Sequence, residues 1–402
     1  MKIKRSYLLR MVILVSAMVT LAMLSTRMEA DTGTCNGSTL AVPFTDVQAS
    51  IFFCQIAEAY FSGLTNGTTP TTYSPSGNVT RDQMAAFITR TMEQSLKRGS
   101  ERAVTKKWWT PQTANGVTLT TVGVSPRQVE FDGIDVWVAN GGSGSVMRVR
   151  ASDGKILDTW TGATNATGVL AAMGKIFVTA ETSPGHVYVI NPDQPAGAVT
   201  TLSSSVGSDP LGITFDGSRI WTANNGHSVS MISLNPTTVT TVSNGFMGPV
   251  GIIYDGANIW ITDEDADTLL KLDSSGAIVQ TISVGDAPLW PVFDGTNIWV
   301  PNSLANSVTV VRVKDLSGNP LTTAPVIATL TGNGLNFPNV VAFDGERILA
   351  ANRHGNSVSL WKAADLTALG SVSIGSGTSP VGACSDGLNF WISCLGNVLA
   401  RF

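Results

Sequence analysis

The chain has 402 residues, a formal net charge of −4 and only 13% charged residues. Because one compact core seldom serves a chain of this length, more than one module is expected. The excess of acidic side chains argues against a nucleic-acid partner, because binding phosphates requires a basic surface.

The first residues have the pattern of a secretory signal peptide. Basic side chains occur within Met1–Arg10, an apolar run from Met11 to Leu24 follows, and the small residue Ala30 closes the segment. The sequence therefore predicts a signal peptide over residues 1–30. The alternative is a retained membrane anchor, which the short apolar run disfavours. Removal of residues 1–30 leaves 20 basic and 28 acidic side chains, a net charge of −8.

Residues 31–95 differ in composition from the rest of the chain and are predicted to form a small helical module. Asp46 or Ser50 is a candidate cap for a first helix. Thr80 and Gln83 have the spacing of a capping box, in which each side chain bonds the backbone N–H of the other residue. A second helix is therefore expected after Thr80.

The four cysteines are too few to build a fold from disulfides. Cys35 and Cys54 lie close together in the N-terminal module, and export favours a bridge between them. Cys384 and Cys394 could also pair, but the sequence does not fix the strand register that decides whether they face each other.

The module contains, in this order, Phe44-Thr45-Asp46-Val47, the aromatics Phe52 and Phe53, Gly63-Leu64-Thr65-Asn66-Gly67, Tyr73-Ser74-Pro75 and Val79-Thr80-Arg81-Asp82-Gln83-Met84. In order and spacing these segments resemble the S-layer homology family. The resemblance implies attachment to cell-wall polysaccharide, with Arg81 as the binding residue. A guanidinium suits an acidic sugar because it bonds a carboxylate with two N–H groups. The alternative is that Arg81 only favours the helix surface and the module is a structural cap.

Residues 96–115 are predicted to be a basic linker that ends in the pair Trp108-Trp109. A solvated segment is the favoured interpretation of such a basic run, and contact with an anionic envelope polymer is the alternative.

The remainder of the chain repeats one sequence motif seven times. The motif is a turn, usually Asp-Gly, followed by an apolar pair whose second residue is usually aromatic. The turns are Asp132-Gly133, Met173-Gly174, Asp216-Gly217, Asp255-Gly256, Asp294-Gly295, Asp344-Gly345 and Asp386-Gly387. Successive turns are 41, 43, 39, 39, 50 and 42 residues apart. A period of about 40 residues is typical of a four-stranded propeller blade, and each Asp-Gly suits the hairpin between the first two strands.

The ends of the repeat region indicate a closed ring. The seventh unit stops after a third strand, Asn397–Phe402, whereas Val117–Val122 is a lone strand before the first unit. Pairing these two strands would complete the last blade and cover its edge. The predicted fold is therefore mainly β: a seven-bladed β-propeller over residues 116–402, preceded by a small α-helical module.

The repeats resemble the YVTN and NHL-like propellers and, more distantly, the streptogramin lyase propellers. This resemblance implies a fold and leaves the activity open, because one such fold hosts many functions.

Each second strand is expected to end in a polar residue on the face where ligands usually enter. These residues are Asn140, Glu181, Asn224, Asp263, Asn302, Asn352 and Ser393. Such a ring of polar side chains could bind a protein or glycan ligand through hydrogen bonds. The alternative is that each side chain only stabilises a local turn.

Two histidines follow these strand ends, His227 and, next to Arg353, His354. The resemblance to the lyases implies a site with histidine, glutamate and a metal ion, and the two histidines are its candidate catalytic residues. Arg353 is a further candidate for ligand binding. No glutamate lies in the stretch after His354.

No cofactor is predicted, although Asp263, Asp265 and Asp267 alternate as at the start of a calcium loop. Thr268 and Ser274 stand where that loop has glycine and a bidentate glutamate, so a solvated acidic loop is favoured over calcium or magnesium binding. The sequence thus favours an exported, envelope-associated protein with a non-enzymatic binding propeller. A metal-dependent lyase or lactonase-like enzyme is the alternative.

Overall fold

The structure is a computed structural model that describes residues 30–35, 38–61, 65–81, 83–85, 117–315 and 317–402. The chain divides into two compact units, Met1–Trp108 and Trp109–Phe402. Nearly all of the predicted signal peptide and the whole linker at 96–115 lie outside the described residues. Within the described ranges, no helix combines the length and apolar character needed to cross a membrane.

The N-terminal unit contains a β-hairpin that the sequence analysis did not predict. Strands β1 (Asp31–Cys35) and β2 (Ser38–Val42) pair in antiparallel register, and helix α1 (Phe53–Phe61) follows. Val42, Phe44, Val47, Phe53, Ile56 and Ala57 form its buried core. A disulfide joins Cys35 to Cys54, which confirms the first predicted bridge and ties the hairpin to the helix.

The residues proposed as caps have distinct roles. Ser50 lies before α1 and its Oγ accepts a hydrogen bond from the Phe52 N–H at 3.2 Å. Asp46 instead accepts the N–H groups of Tyr73 and Ser74 at 2.9 and 2.7 Å, so it holds a distant loop. The capping box is confirmed, because the Thr80 N–H bonds Gln83 Oε1 at 2.9 Å and the Gln83 N–H bonds Thr80 Oγ1 at 3.4 Å.

The second unit contains seven four-stranded antiparallel sheets, the blades. Blade 1 contains β4 (Pro126–Phe131), β5 (Asp135–Asn140), β6 (Ser145–Arg150) and β7 (Ile156–Thr161). Blade 2 contains β8 (Ala166–Ala172), β9 (Lys175–Ala180), β10 (Gly185–Ile190) and β11 (Thr200–Val206). Blade 3 contains β12 (Pro210–Phe215), β13 (Ile220–Asn224), β14 (Ser228–Leu234) and β15 (Thr237–Val242).

The later blades repeat this order. Blade 4 contains β16 (Pro249–Tyr254), β17 (Ile259–Asp263), β18 (Thr268–Leu272) and β19 (Ile278–Ser283). Blade 5 contains β20 (Val292–Phe293), β21 (Asn297–Asn302), β22 (Ser307–Arg312) and β23 (Val326–Thr331). Blade 6 contains β24 (Pro338–Phe343), β25 (Arg347–Asn352), β26 (Ser357–Lys362) and β27 (Ala368–Ser373). Blade 7 contains β28 (Pro380–Ser385), β29 (Phe390–Cys394), β30 (Val398–Arg401) and β3 (Thr118–Thr121).

The last blade closes the ring as predicted. Strand β3 pairs with β30 in antiparallel register, with Thr118 opposite Arg401 and Thr121 opposite Val398. The fourth strand of blade 7 therefore comes from the start of the repeat region, and the free edge of β30 is covered. The second strands β5, β13, β17, β21 and β29 are buried at every residue, as expected for strands packed between neighbouring blades.

The turn aspartates have a role beyond the turn. In blade 4, Asp255 Oδ1 accepts the N–H groups of Ala257 and Asn258, both at 2.7 Å. Asp255 Oδ2 accepts the indole N–H of Trp260, also at 2.7 Å. One carboxylate thus closes the turn and fixes the buried tryptophan of the next strand. The same aspartate–tryptophan bond recurs in four more blades: Asp132–Trp137, Asp216–Trp221, Asp294–Trp299 and Asp386–Trp391.

Blades 2 and 6 lack this bond. In blade 2 the turn is Met173-Gly174, so no carboxylate is available, and Phe177 fills the tryptophan position. In blade 6 Leu349 replaces the tryptophan, and Asp344 Oδ2 instead accepts a hydrogen bond from Arg347 Nε at 3.1 Å.

The second suggested disulfide is wrong, because Cys384 and Cys394 are free thiols. They lie on paired strands, but Cys384 is opposite Trp391 and Cys394 is opposite Pro380. This register separates the two sulfur atoms along the strands.

We predict that Asp255→Asn destabilises the propeller by about 2–3 kcal/mol. Asp255 accepts three N–H groups, those of Ala257, Asn258 and the Trp260 indole. An asparagine keeps one acceptor oxygen and turns its N–H₂ group toward at least one of these donors, which leaves a buried donor unpaired. Urea unfolding followed by tryptophan fluorescence measures the change. Asp193→Asn, at an exposed residue, is the matched control and is expected to stay near wild type. Equal stability of the two variants would contradict a structural role for the bond.

Candidate functional site

The upper face of the propeller is the side on which each second strand ends and the next blade begins. The predicted asparagines Asn140, Asn224, Asn302 and Asn352 lie there, and all four side chains are fully buried. Asn302 Nδ2 donates to Ser307 Oγ and Thr309 Oγ1, each at 2.9 Å. Asn224 and Asn352 make the same pair of bonds to hydroxyls of the third strand in their own blades, and Asn140 bonds Ser145 at 3.4 Å. These side chains therefore support the strand ends.

Asp263 holds the equivalent position in blade 4 and is also fully buried. Its carboxylate accepts the N–H groups of Met247 and Gly248, both at 2.8 Å. Burial is the largest influence on this carboxyl and raises its pKa, while these backbone bonds oppose the shift. Asp263 thus links its strand end to the segment that enters its own blade. Ser393, also fully buried, bonds the carbonyl oxygen of Arg127 in blade 1.

A second set of side chains links neighbouring blades on this face. Asp267, at the end of a loop in blade 4, accepts the N–H of Ala287 before blade 5 at 2.9 Å. Three asparagines bond the following blade in the same way: Asn306 to Phe337, Asn356 to Ser379, and Asn397 to Ser125. Asp267 and all three asparagines have positive φ, between 47° and 64°. The repeated bond fixes the spacing between blades around the ring.

His227 occupies the corresponding position in blade 3, with φ of 64°. Its Nδ1 is hydrogen-bonded to the carbonyl oxygen of Met247, on the segment that enters blade 4. The imidazole is otherwise exposed. His227 therefore links two blades and also presents its ring to solvent.

His354 lies on blade 6 and is exposed. Its ring stacks on Phe337 with centroids 4.2 Å apart, and the Arg353 guanidinium lies 6.0 Å from the same ring. Across the part of the chain that the structure describes, no hydrogen bond or ring contact joins His354 to His227. Glu181, a partly exposed residue of blade 2, lies 4.0 Å from Arg127 of blade 1.

The acidic loop does not assemble a cluster of metal ligands. Asp263 and Asp267 already accept backbone hydrogen bonds, and Asp265 is exposed. Within the described ranges, no group of three or more His, Cys, Asp or Glu side chains is arranged to hold a metal ion.

The centre of the ring holds a feature that no motif of the sequence marks. A cavity of about 420 Å³ lies there, lined by the innermost strands of all seven blades. Glu130 on β4 lines this cavity. Glu130 lies opposite Trp137 in the β4–β5 pair. The equivalent position on the first strand of each other blade is occupied by Leu170, Thr214, Ile253, Val292, Ala342 and Cys384. Among these seven positions only Glu130 carries a charge, which is the sequence feature that could have revealed it.

Burial dominates the titration of this carboxyl. Burial first, and the nearby Asp132 carboxylate second, raise the pKa of Glu130 to about 8. Glu130 also influences the nearby Cys384 thiol. Burial raises the pKa of this thiol most, and the Glu130 and Asp386 carboxylates raise it further. The Cys384 thiol is therefore protonated and unreactive as a nucleophile at neutral pH.

Residues 43–85 match the S-layer homology domain family. This confirms the resemblance inferred from the motifs of the N-terminal module. No curated protein matches the chain.

Solved structures with the same fold match the propeller. Virginiamycin B lyase from Staphylococcus aureus is 16% identical, with a TM-score of 0.57 over 71% of this chain and 98% of that chain. Hydrazine synthase from Kuenenia stuttgartiensis is 18% identical, with a TM-score of 0.57 over 73% and 98%. The Cps50 (Swd1) propeller domain of Myceliophteria thermophila is 11% identical, with a TM-score of 0.59 over 71% and 99%. At such identities the similarity establishes the propeller fold alone.

We predict that Glu130 makes the propeller less stable as the pH rises. Between about pH 4.5 and pH 8 the unfolded chain loses this proton while the folded protein keeps it, so the free energy of unfolding falls by about 2–4 kcal/mol. Glu130→Gln removes this contribution. Urea-unfolding midpoints across this range measure the difference between wild type and variant. A difference that does not change with pH would contradict the assignment.

Proposed function

We propose that the protein is exported and associates with the cell envelope through its S-layer homology module, while its propeller binds a protein or glycan partner without catalysing a reaction. The observation that carries this proposal is the match of residues 43–85 to the S-layer homology domain family. Members of that family attach proteins to cell-wall polysaccharide, so a surface-associated location follows from the same match.

The N-terminal module presents a suitable side chain for an acidic sugar. Arg81 is exposed and lies directly after Thr80, the first residue of the capping box. The reciprocal bonds of Thr80 and Gln83 constrain the backbone at the start of this turn and so help to position the Arg81 side chain. A guanidinium so placed can bond a sugar carboxylate through two parallel N–H groups.

Two features support export. The segment 1–30 has the charge and apolar pattern of a signal peptide. The Cys35–Cys54 disulfide belongs in an oxidising compartment, where such bonds persist.

The upper face of the propeller supports binding by its exposed groups rather than by its buried asparagines. His354, Arg353 and Phe337 form one stacked cluster on blade 6, and His227 is exposed on blade 3. Aromatic and arginine side chains of this kind are common anchors in protein interfaces, and they also stack on sugar rings.

The fold similarity to streptogramin lyases does not distinguish binding from catalysis. His227 and His354 lie on blades 3 and 6, and neither forms a hydrogen bond to a carboxylate in the described part of the chain. The Met247 carbonyl oxygen orients the His227 ring, but a histidine without a carboxylate partner is a weak basis for an enzyme. The binding function is therefore the one that this geometry favours.

We predict that Arg81→Ala weakens cosedimentation of the full-length protein with bacterial cell-wall fragments by about tenfold. Lys175→Ala, at an exposed cation of the propeller, is the matched control and is expected to sediment like wild type. Fragments stripped of their acidic polysaccharide should retain none of the three proteins. Equal sedimentation of Arg81→Ala and wild type would refute the role of Arg81, and unchanged binding to stripped fragments would refute polysaccharide attachment.

A further inference from the structure

The central cavity of the propeller contains one ionisable carboxyl and no cation. Among the residues that line it, none is Lys, Arg or His, and Glu130 is the only acid. The Glu130 carboxyl forms no hydrogen bond or ion pair with any residue that the structure describes. A partly buried carboxylate without a partner is costly, and burial favours the protonated form of the group at neutral pH. A ligand that carries a positive charge would supply the missing partner.

Aromatic residues also line the same cavity, and each packs against an apolar core cluster of the propeller. Phe131, Tyr254 and Phe343 each precede the turn aspartate of their blade, and Trp290 lies before the first strand of blade 5. The face of an aromatic ring attracts a cation within about 6 Å of its centroid. Phe293 also lines the cavity, but the Lys314 ammonium already lies 4.9 Å from its ring, which leaves the other four aromatic residues for a ligand.

The composition of the cavity disfavours anions and divalent metal ions as ligands. An anion would find no cationic side chain in its lining. A divalent metal ion such as calcium takes about six to eight oxygen ligands, and the cavity lining supplies only one carboxylate. The volume of about 420 Å³ is that of a small-molecule site.

We infer that the central channel binds a small organic ammonium ion, with its charge against the Glu130 carboxylate and its apolar part against the aromatic rings. This inference is independent of envelope attachment, because all lining residues belong to the propeller. It assigns a ligand-binding role to the middle of the ring, separate from the exposed groups of the upper face.

Binding is coupled to loss of the Glu130 proton, because the ammonium ion needs the charged form of the carboxyl. One other ionisable group, Asp132 on the same hairpin, raises the pKa of Glu130, and Glu130 in turn raises the pKa of the Cys384 thiol on β28. On β5, Asp135 is held by Arg148 at 2.6 Å, and β8 carries no ionisable side chain. The pKa of Glu130 is about 8, so affinity for the ammonium ion should rise roughly tenfold per pH unit below that value.

Isothermal titration calorimetry with two probes tests this inference. Benzylammonium carries the charge, and benzyl alcohol has the same ring without it. With the full-length protein at about pH 8, benzylammonium is expected to bind with a Kd of roughly 1 mM or tighter. Benzyl alcohol should bind at least about tenfold more weakly, and benzylammonium should lose about tenfold in affinity between pH 7 and pH 6.

Three variants separate the contributions. Glu130→Gln should lose about tenfold or more in benzylammonium affinity and all of its pH dependence. Phe131→Leu keeps an apolar side chain but removes a ring, so it should weaken benzylammonium binding by about threefold. Glu346→Gln, at an exposed acid outside the channel, should bind as wild type does. Circular dichroism confirms that each variant is folded.

Several results would overturn the inference. One is the failure of benzylammonium to bind wild type at about 10 mM. Another is equal affinity for benzylammonium and benzyl alcohol, which would show that charge is not recognised. A third is unchanged binding by folded Glu130→Gln, which would place the ammonium ion elsewhere.

Discussion

Closure of the ring by β3 and β30 is the constraint on which the propeller depends. Strand β3 (Thr118–Thr121) is the outermost strand of blade 7, yet it precedes blade 1 in the chain. Its pairing with β30 joins the first and last blades and leaves no terminal gap in the ring. Because the ring is closed, the innermost strands of all blades surround one shared cavity. The position of Glu130 in that cavity therefore depends on a strand pairing formed far away, at the outer edge of another blade.

The two faces of the propeller are stabilised by different hydrogen bonds. On the lower face, in five of the seven blades, one aspartate closes the first hairpin and fixes a buried tryptophan, as Asp255 does for Trp260. Above, buried asparagines support the strand ends, and side chains such as Asn397 bond the segment that enters the next blade. A polar group whose hydrogen bonds are satisfied within the fold gains little from a ligand. The Glu130 carboxyl and the exposed rings of His227 and His354 remain available. The buried side-chain oxygens of Asn140 and Asn302 and the indole N–H of Trp290 also lack a hydrogen-bond partner within the described residues.

The sequence predicted the architecture because its repeat marks every first hairpin, and the unpaired strand ends implied closure. It also predicted the capping box and the Cys35–Cys54 bridge, which depend on local spacing. Other features depend on contacts that the spacing does not encode. The burial of the strand-end asparagines follows from hydroxyls on the third strand, and the free thiols of Cys384 and Cys394 follow from the register of β28 and β29. The position of Glu130 in the cavity could not be predicted because most of the residues around the cavity come from other blades.

Ring closure can be measured directly by a disulfide cross-link. Leu119, which is half exposed, lies opposite the buried Ala400 in the β3–β30 pair, and directly opposed residues are close enough for a disulfide. Peptide mapping of an oxidised Leu119→Cys, Ala400→Cys double variant should find these two segments of the chain joined. If both introduced thiols stay free in the folded protein while each single variant is also folded, the ring is not closed by this pair. The shared cavity and the site around Glu130 would then have no basis.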